Sequence, residues 1–435
     1  MVKQANNKME NFRIESLEIN KIGAFEHIKM DFPKKTDPDK AEIHILTGEN
    51  GTGKSTVLEV LAHISLNLDK DKQGESSLDF VSKFHEIENS YFKVKDSIYK
   101  ETEIYFSKKN FPPKDSFFYE YAQKMNNYND YSFNFALFAY SGYRKAYNYE
   151  KIDISQKLIS NPFENALSFT KSTNTKDFLN WIGNYLMRHT LANSKNDKLQ
   201  AEKLFEPIYL IYVFLHEITQ QTISFGLNDE LDVYVITDDM IQRFNTLPDG
   251  VKSMLSWVGD LVMRLERIKW TNDTPIFERN FILFLDEIEV HLHPAWQRKI
   301  LPVVQKLFKN AQIFISTHSP FVVGSVDGAW IHKLKKDGVF AVLDGEPVLS
   351  EDAESYDTIL DEIFGIKERF GDEIEDKLEK FRDITKEILK GHEHRLEEWQ
   401  SIISFFKNQE RPDEIMSYIT PQIRQINRIR NQVLA

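Results

Sequence analysis

A glycine-rich segment constrains this chain more than any other part of its sequence. Residues Gly48–Ser55 read GENGTGKS and fit the pattern G-x-x-x-x-G-K-[ST]. The run Ile43–Thr47 before them predicts a buried strand, and apolar residues at helical spacing predict a helix over Ser55–Leu68. Glycines let backbone N–H groups turn inward around an anion, and the helix adds its positive N-terminal dipole. The segment and its flanking elements therefore predict a phosphate-binding loop, the P-loop of nucleotide-binding proteins.

Two side chains of this loop carry specific chemistry. Lys54 is predicted to reach the β- and γ-phosphates of a bound nucleotide, and the Ser55 hydroxyl to coordinate Mg²⁺. We therefore predict Mg²⁺ as a cofactor beside the nucleotide. The predicted nucleotide-binding residues are Gly48, Asn50, Gly51, Gly53, Lys54, Ser55 and Thr56.

A second apolar strand ends in two acidic residues. Residues Phe281–Leu285 read FILFL, which is typical of a parallel strand buried on both faces, and Asp286 and Glu287 follow directly. P-loop proteins hold Mg²⁺ with an acid in this place, so we predict Asp286 as a metal ligand beside Ser55. Glu287 is predicted to polarise the attacking water. The alternative is a pair of surface acids that cap a strand, which five consecutive apolar residues disfavour.

A histidine follows the next buried strand. That strand, Gln312–Ser316, runs into Thr317 and His318. The carboxyl ends of parallel strands meet at one edge of a sheet, so we expect His318 at the same edge as the P-loop, where it can donate a hydrogen bond to a γ-phosphate. A lone histidine is more often structural, but the two strand ends together favour the functional interpretation.

Composition disfavours several classes of protein and site. The chain has 435 residues, a formal net charge of −12 and no cysteine. A uniformly basic nucleic-acid-coating protein is therefore disfavoured, and disulfides, Cys-type zinc sites, Fe–S clusters and a cysteine nucleophile are excluded. The longest apolar run, Ile208–Leu215, is much shorter than the roughly 20 residues of a spanning helix and predicts a buried helix. The first residues contain no apolar signal segment, so we expect a cytoplasmic protein with no membrane partner.

These motifs together resemble those of ABC-type P-loop ATPases of the RecF/SMC branch, and in particular the compact OLD-like ATPases of prokaryotic anti-phage systems. Within that group the sequence is similar to the ATPase subunits of Septu systems, with those of PARIS systems as a near alternative. The segments that carry the resemblance are GENGTGKST (48–56), AYSGYRK (139–145), LPDGVKSMLSW (247–257), FLDEIEVHLHPAWQ (284–297), STHSPFVV (316–323) and SYDTILDEIF (355–364).

The resemblance implies roles for individual residues. Lys54 and Ser55 match the Walker A motif. Asp286 and Glu287 match Walker B, and His318 matches the switch histidine. The implied catalytic residues are Glu287, His318 and Lys54.

The family signature L-S-x-G is matched by Leu247–Gly250. In the family this motif reaches the γ-phosphate bound by the opposite protomer of a head-to-tail dimer, which implies that Gly250 binds nucleotide in trans. Pro248 stands where the family has serine, so one expected phosphate contact is missing and a weaker or slower site is implied. Asp249 is predicted as the N-cap of the next helix. Lys252 either supplies charge recognition in place of the missing phosphate contact or is solvated.

Three further features have competing interpretations. Arg144 fits an aromatic-x-x-x-Arg element of the family, and a surface arginine that caps a loop is the alternative. His291 and His293 are two residues apart and precede Pro294, so we expect them to shape a loop rather than a catalytic metal centre. The lysine- and aromatic-rich segment Tyr91–Tyr131 could bind nucleic acid, but a small core with a solvated face is the favoured interpretation.

The predicted fold is α/β, with an ABC-type P-loop ATPase core around a mixed β-sheet, an α-rich insertion and a C-terminal helical domain. We divide the chain into an N-lobe with Walker A (1–68), an insertion that is mostly helical with some strands (69–240), a C-lobe with the signature, Walker B and switch histidine (241–345), and the helical domain (346–435). Because the last part is rich in aromatics, it is predicted either to pack on the core or to dock a second subunit.

The resemblance implies an ATP-hydrolysing subunit of an anti-phage defence complex that senses infection and controls a partner nuclease. The implied partners are a second copy of the chain in a head-to-tail dimer or higher oligomer, a soluble HNH- or TOPRIM-type nuclease encoded nearby, and DNA as a further candidate. The alternative function is a DNA repair or recombination ATPase of RecF/SMC type, which the lack of long heptad arms disfavours. A transporter nucleotide-binding domain and a scaffold with structural ATP are the other classes to compare.

Overall fold

The computed structural model describes residues 12–63, 90–98, 100–105, 117–142, 161–169, 173, 175–351, 355–366 and 368–433. The chain forms two compact units, Met1–Phe364 and Gly365–Ala435. The P-loop, both acids and the switch histidine all belong to the first unit. The four-part division drawn from the sequence stays a prediction.

The elements of the described residues alternate between strands and helices in the first unit and are helical in the second. The strands are β1 (Ile14–Ile22), β2 (Phe25–Asp31), β3 (Glu42–Gly48), β4 (Tyr91–Asp96), β5 (Lys100–Tyr105), β6 (Ala136–Tyr140), β7 (Ile223–Leu227), β8 (Val233–Thr237), β9 (Met240–Gln242), β10 (Phe281–Leu285), β11 (Gln312–Ser316), β12 (Trp330–Asp337), β13 (Phe340–Leu343) and β14 (Val348–Leu349). The helices are α1 (Lys54–His63), α2 (Phe117–Asn126), α3 (Thr175–Ser194), α4 (Lys198–Thr219), α5 (Asp249–Met254) continued by a π-helical turn (Leu255–Gly259) and α6 (Asp260–Arg267), α7 (Pro294–Leu307), α8 (Pro320–Val323), α9 (Tyr356–Thr358) continued by a π-helical turn (Ile359–Ile363), α10 (Asp372–Leu389), α11 (Leu396–Lys407) and α12 (Pro412–Val433).

The central sheet of the first unit has the strand order β13-β12-β3-β11-β10-β6, with β14 paired to β12. The strands from β12 to β6 are parallel, whereas β13 and β14 run antiparallel to β12. Every residue of β6, β10 and β11 is buried, as expected for a parallel sheet covered on both faces. The mixed α/β fold predicted from the sequence is therefore confirmed. Because β11 lies between β3 and β10, the carboxyl ends of these three strands meet at one edge.

The strands predicted around the site are confirmed. Strand β3 extends the predicted Ile43–Thr47 by one residue at each end, and β10 and β11 have the predicted bounds. Helix α1 begins at Lys54, and the last part of its predicted range, 64–68, lies outside the described residues.

A second, antiparallel sheet has the order β2-β1-β4-β5. Strands β1 and β2 form a hairpin, and β4 pairs with the other edge of β1. Phe92 and Val94 of β4 are buried, while Lys95 of the opposite face is exposed. This part of the aromatic segment is therefore a small core with a solvated face, and residues 106–116 of the segment lie outside the described residues.

A buried polar network at the amino ends of β3 and β11 links this sheet to the central one. The Arg13 guanidinium donates to both Glu42 carboxylate oxygens at 2.8–3.3 Å, and Gln312 Nε2 donates to Glu42 Oε1 at 2.7 Å. His44 Nε2 lies 3.1 Å from the same oxygen, and its Nδ1 lies 3.1 Å from His332 Nε2. Burial acts to raise the pKa of Glu42, but His44 and Arg13 outweigh it and lower that pKa to about 2.

Replacing Glu42 by alanine should lower the free energy of unfolding by about 3–5 kcal/mol, because the Arg13 charge would lose its main partner while only 12% exposed. Since the pKa of folded Glu42 lies below that of an unfolded glutamate, this stabilisation is present above about pH 4.3 and is lost as the pH falls toward 2. Denaturant unfolding followed by tryptophan fluorescence measures it. Glu15→Ala is the control, because Glu15 makes a longer, more exposed pair with Arg13, and should cost under about 1 kcal/mol. Equal losses in the two variants would contradict this account.

The insertion contains two long helices. Helices α3 and α4 are separated by residues 195–197, where Asp197 caps α4 by accepting a hydrogen bond from the Gln200 N–H. The apolar run Ile208–Leu215 lies in α4 and buries one face, with Ile208, Ile211 and Phe214 fully buried and Tyr209 exposed. In the part of the chain that the structure describes, no helix has the length and apolarity to span a membrane.

The second unit, Gly365–Ala435, is a bundle of α10, α11 and α12 with its own core. Phe381 and Trp399 stack at its centre with ring centroids 5.6 Å apart, and Trp399 Nε1 donates to Thr385 Oγ1 at 2.9 Å. Together with Phe406 these aromatics fill the bundle, so they give no evidence for an exposed docking face.

The segment just before this bundle belongs to the first unit. Ile359 is 1% exposed, and its Cδ1 lies 2.4 Å from where a Cβ on Gly324 would stand. Tyr356 and Phe364 pack against the same core. A truncation that removes only the helical bundle should therefore end at Phe364.

Candidate nucleotide site

The P-loop follows β3 and depends on three glycines with positive φ. A Cβ on Gly48 would stand 2.1 Å from the Leu334 carbonyl oxygen of β12, and a Cβ on Gly53 would stand 2.5 Å from the Phe25 ring. Gly51 has φ +80°, which is also strained for other residues. The glycines therefore permit both the turn of the loop and its close packing against neighbouring strands.

The Lys54 ammonium spans this loop. Lys54 is 6% exposed, and its Nζ donates to the carbonyl oxygens of Gly48 and Glu49, both at 2.8 Å. Burial lowers the pKa of Lys54, while the carboxylates of Asp286 and Glu287 act in the opposite direction. The cation is thus held at the centre of the loop beside the two acids.

The other residues of the loop differ in exposure and contacts. Asn50 is exposed at the loop tip, and Thr52 Oγ1 donates to the Glu49 carbonyl at 2.9 Å. Ser55 and Thr56 lie in the first turn of α1 and are partly buried.

Three strand ends converge on Asp286. Ser55 Oγ after β3 donates to Asp286 Oδ1 at 3.0 Å, and Ser316 Oγ at the end of β11 donates to the same oxygen at 2.5 Å. The Asp286 N–H donates to the Tyr140 carbonyl of β6 at 2.9 Å. The hydroxyl of Ser55 and the carboxylate of Asp286 are hard oxygen donors of the kind that Mg²⁺ accepts together with phosphate oxygens, so this donor set fits the ion.

Glu287 has an unusual backbone conformation. Its φ of +47° is in the left-handed region, and its N–H donates to Ser316 Oγ at 2.8 Å. A Cβ on Gly142 would stand 2.6 Å from the Glu287 Cβ, so only glycine leaves room for this turn. Ser316 and Gly142 were not predicted from the sequence as site residues, although they lie within the STHSPFVV and AYSGYRK segments.

The main chain at His318 is anchored to a second carboxylate. The His318 N–H donates to Glu289 Oε1 at 2.7 Å, and burial raises the pKa of Glu289. The His318 side chain is largely exposed. Its partial burial lowers the pKa of the imidazole, and so does the charge of Lys54, whereas Asp286 acts in the opposite direction. His318 therefore follows β11 at the same edge of the sheet as the P-loop and Asp286, as expected for neighbouring parallel strands.

The signature segment packs against the loop after Walker B in the same chain. A Cβ on Gly250 would stand 2.8 Å from both the His291 carbonyl oxygen and the Trp296 ring. The prediction of Asp249 as N-cap is wrong, because Pro248 occupies the cap with an extended ψ of 142° and Asp249 is the first helical residue. Asp249 instead pairs with Lys252 at 2.7 Å, so Lys252 is neither free nor fully solvated.

The histidines after Walker B shape a loop. His291 has φ +67°, and His293 Nδ1 accepts from the Ala295 N–H at 3.2 Å and so caps α7. Among the described residues no group of three or more His, Cys, Asp and Glu side chains is placed to hold a metal. Arg144 lies outside the described residues.

Comparison with known proteins gives two family matches. A family described as "AAA domain, putative AbiEii toxin, Type IV TA system" matches residues 70–324, which is more than half of the chain, and a second AAA domain family matches residues 12–79 and so includes the P-loop.

Two curated relatives match parts of the chain. Over 181 residues the chain is 29% identical to the retron Ec83 probable ATPase of Escherichia coli, covering 37% of this chain and 33% of that protein. Over 323 residues it is 25% identical to the Septu protein PtuA of Bacillus thuringiensis, covering 71% and 72%. The chain thus spans about a third of the length of the first relative and almost three quarters of the second.

Among solved structures, an SMC head bound to the C-terminal winged-helix domain of ScpA aligns with 78% of this chain and 98% of its own, at 14% identity and a TM-score of 0.45. The family match decides the assignment. The chain therefore belongs to this AAA domain family.

Proposed function

We propose that this ATPase hydrolyses ATP at the carboxyl edge of its central sheet, with Glu287 as the general base. The observation that carries the proposal is the convergence of Ser55, Ser316 and Asp286 from three adjacent strands, joined by hydrogen bonds of 3.0 Å or less. Glu287 is the next residue, and a general base beside the metal-holding acid can activate water for attack on a γ-phosphate.

Lys54 is the proposed cation for the β- and γ-phosphates. Its ammonium has three donors, and two of them bind loop carbonyls. The third remains for a phosphate oxygen, so the loop orients the lysine before the nucleotide arrives. Gly48, Asn50, Gly51 and Gly53 supply the turn around the phosphates, and Thr56 supports it from the first turn of α1.

Ser55 and Asp286 are the residues that would hold Mg²⁺. When bound, the ion would neutralise charge on the phosphate oxygens and orient the γ-phosphate. His318 is proposed to donate a hydrogen bond to the γ-phosphate, because it follows β11 at the same edge of the sheet and its imidazole carries at least one N–H donor in either protonation state.

The complete site is proposed to need a second chain. Within the described residues no hydrogen bond or ion pair joins Leu247–Gly250 to Gly48–Ser55 of the same chain. Gly250 lies in the first turn of a helix whose N-terminal N–H groups suit an anion, so we assign it to the γ-phosphate of a partner protomer in a head-to-tail dimer. Pro248 has no hydroxyl to add to this contact.

The biological role is proposed from the relatives. A retron ATPase is 29% identical and a Septu protein 25% identical to this chain over the spans given above. We therefore propose that the chain is the ATPase of an anti-phage system, in which its nucleotide state controls a soluble partner nuclease.

Co-expression of the chain with the product of the adjacent gene tests this role. We expect the two proteins to co-purify and the host to form fewer plaques when challenged with a panel of phages. Glu287→Gln should abolish the protection, because the ATPase cycle would stop. Normal ATP turnover without co-purification and without protection would contradict the defence role and leave the ATPase assignment standing.

A truncated chain ending at Phe364 is the matched control for partner binding. The first unit contains every predicted site residue, so residues 1–364 should keep ATP turnover and a normal thermal melt. Loss of co-purification in this variant would assign partner docking to the helical bundle, whereas retained co-purification would assign it to the first unit.

A further inference from the structure

Ser316 connects the two acids of the proposed site through one side chain. It is the last residue of β11 and is 1% exposed. Its hydroxyl donates to Asp286 Oδ1 and accepts the N–H of Glu287. A serine hydroxyl has one proton to donate and two lone pairs to accept, so this side chain satisfies both neighbours at once.

The bond to Glu287 supports a strained backbone. A non-glycine residue is strained in the left-handed region, and Glu287 is held there with φ +47°. The Ser316 oxygen accepts the N–H that this conformation turns inward. Without that acceptor the peptide would lose a buried hydrogen bond, and the Glu287 carboxylate would no longer have one fixed starting direction.

The hydrogen bond from Ser316 to Asp286 can persist when the Ser55 hydroxyl coordinates a metal ion. Within the described residues the Asp286 carboxylate has two hydrogen bonds, from Ser55 and Ser316. Ser55 is itself a proposed ligand of Mg²⁺, so Ser316 is the partner that can keep orienting the carboxylate once the ion is bound. Partners of this kind set the direction and basicity of metal ligands.

We propose that Ser316 is a positioning residue, which aims Asp286 at Mg²⁺ and Glu287 at the attacking water. The proposal rests on the proposed roles of these two acids. It makes the end of β11 part of the hydrolysis machinery two residues before the switch histidine, so one short segment contacts both acids and carries His318.

The test compares three serine variants in metal and nucleotide binding. Ser316→Ala should raise the Mg²⁺ concentration for half-maximal turnover by about 10–100-fold and lower turnover at saturating Mg²⁺ by a similar factor. It should leave the Kd of ATP in EDTA unchanged, because the P-loop is intact. Ser316→Thr keeps the hydroxyl, so its Mg²⁺ requirement and its turnover should both be close to those of the unmutated chain. Mn²⁺ binding in the presence of a non-hydrolysable ATP analogue, followed by electron paramagnetic resonance, gives a readout independent of turnover and should weaken in Ser316→Ala.

Ser350→Ala is the matched control. Ser350 is 3% exposed, donates to the Val326 carbonyl at 2.7 Å and accepts the Ala329 N–H at 3.0 Å, so it is a buried serine with the same bonding pattern away from the site. It should lower the melting temperature without changing the Mg²⁺ or Mn²⁺ dependence. The proposal is overturned if Ser316→Ala behaves like Ser350→Ala, or if it weakens ATP binding in EDTA as much as in Mg²⁺.

Asp286→Asn separates this proposal from the proposed function. If Asp286→Asn weakens Mn²⁺ binding and Ser316→Ala does not, the role of Ser316 is wrong and the metal site stands. If Asp286→Asn leaves Mn²⁺ binding unchanged, the metal assignment fails and the role of Ser316 fails with it.

Discussion

Lys54→Ala should weaken ATP binding by roughly 30- to 3,000-fold, the range expected when one partner of a buried charge pair is truncated. The ammonium is almost fully buried and lies across the carbonyls of Gly48 and Glu49, so no solvent cation can replace it in the same geometry. Alanine would also leave these carbonyls without their donor. Isothermal titration with ATP and Mg²⁺ measures the change, and affinity within about twofold of the unmutated chain would contradict the P-loop assignment.

Lys35→Ala is the matched control for this loss. Lys35 Nζ donates to the carbonyl oxygens of Pro38, Lys40 and Lys309, so it also ties a loop together through backbone acceptors. It lies near the amino end of β3, opposite the P-loop. We expect Lys35→Ala to reduce stability and to leave the Kd of ATP unchanged.

Glu287→Gln should bind ATP normally and hydrolyse it about 10²–10⁴-fold more slowly, because an amide cannot accept the proton of the attacking water. The backbone N–H bond to Ser316 and the close contact with Gly142 do not involve the carboxylate, so the local fold should survive the substitution. Single-turnover hydrolysis measures the rate independently of product release.

Glu278→Gln controls for the loss of a negative charge. Glu278 is exposed and lies just before the amino end of β10, whereas Glu287 follows its carboxyl end. The turnover of Glu278→Gln should match that of the unmutated chain. If Glu287→Gln also turns over ATP at the unmutated rate, the general base lies elsewhere.

The strands of the site could be predicted because each carries a local signal. The runs that form β3, β10 and β11 are short, apolar and bounded by polar residues, as strands buried on both faces must be. The positions of Lys54, Asp286 and His318 follow from where these runs end.

The supporting residues could not be predicted in the same way. Ser316 contacts Asp286 only because β11 lies between β3 and β10 in the sheet. Local periodicity predicts strands but does not predict their order. Gly142 matters because Glu287 turns against it, which is a contact over 145 residues of sequence. Glu289 reads as one of several acids until its carboxylate is seen to accept the His318 N–H.

Some strands could not be predicted from the sequence for related physical reasons. Strand β4 alternates lysines with Phe92 and Val94 over six residues, which reads as a polar loop until β1 pairs with it. Strand β9 has three residues and depends on β8 for its hydrogen bonds. Asp249 has a good N-cap side chain, but Pro248 already has the extended backbone of the cap position, and Lys252 takes the carboxylate.

The central claim is that the P-loop, Asp286, Glu287 and His318 of one chain complete an ATP site with Gly250 of another. Mass photometry of Glu287→Gln, with and without ATP and Mg²⁺, tests it most directly. The account predicts particles with the mass of one chain in the absence of nucleotide, and a stable population of two or an even number of chains when ATP is present and hydrolysis is blocked. A population that stays at the mass of one chain, while titration shows that ATP is bound, would contradict the composite site.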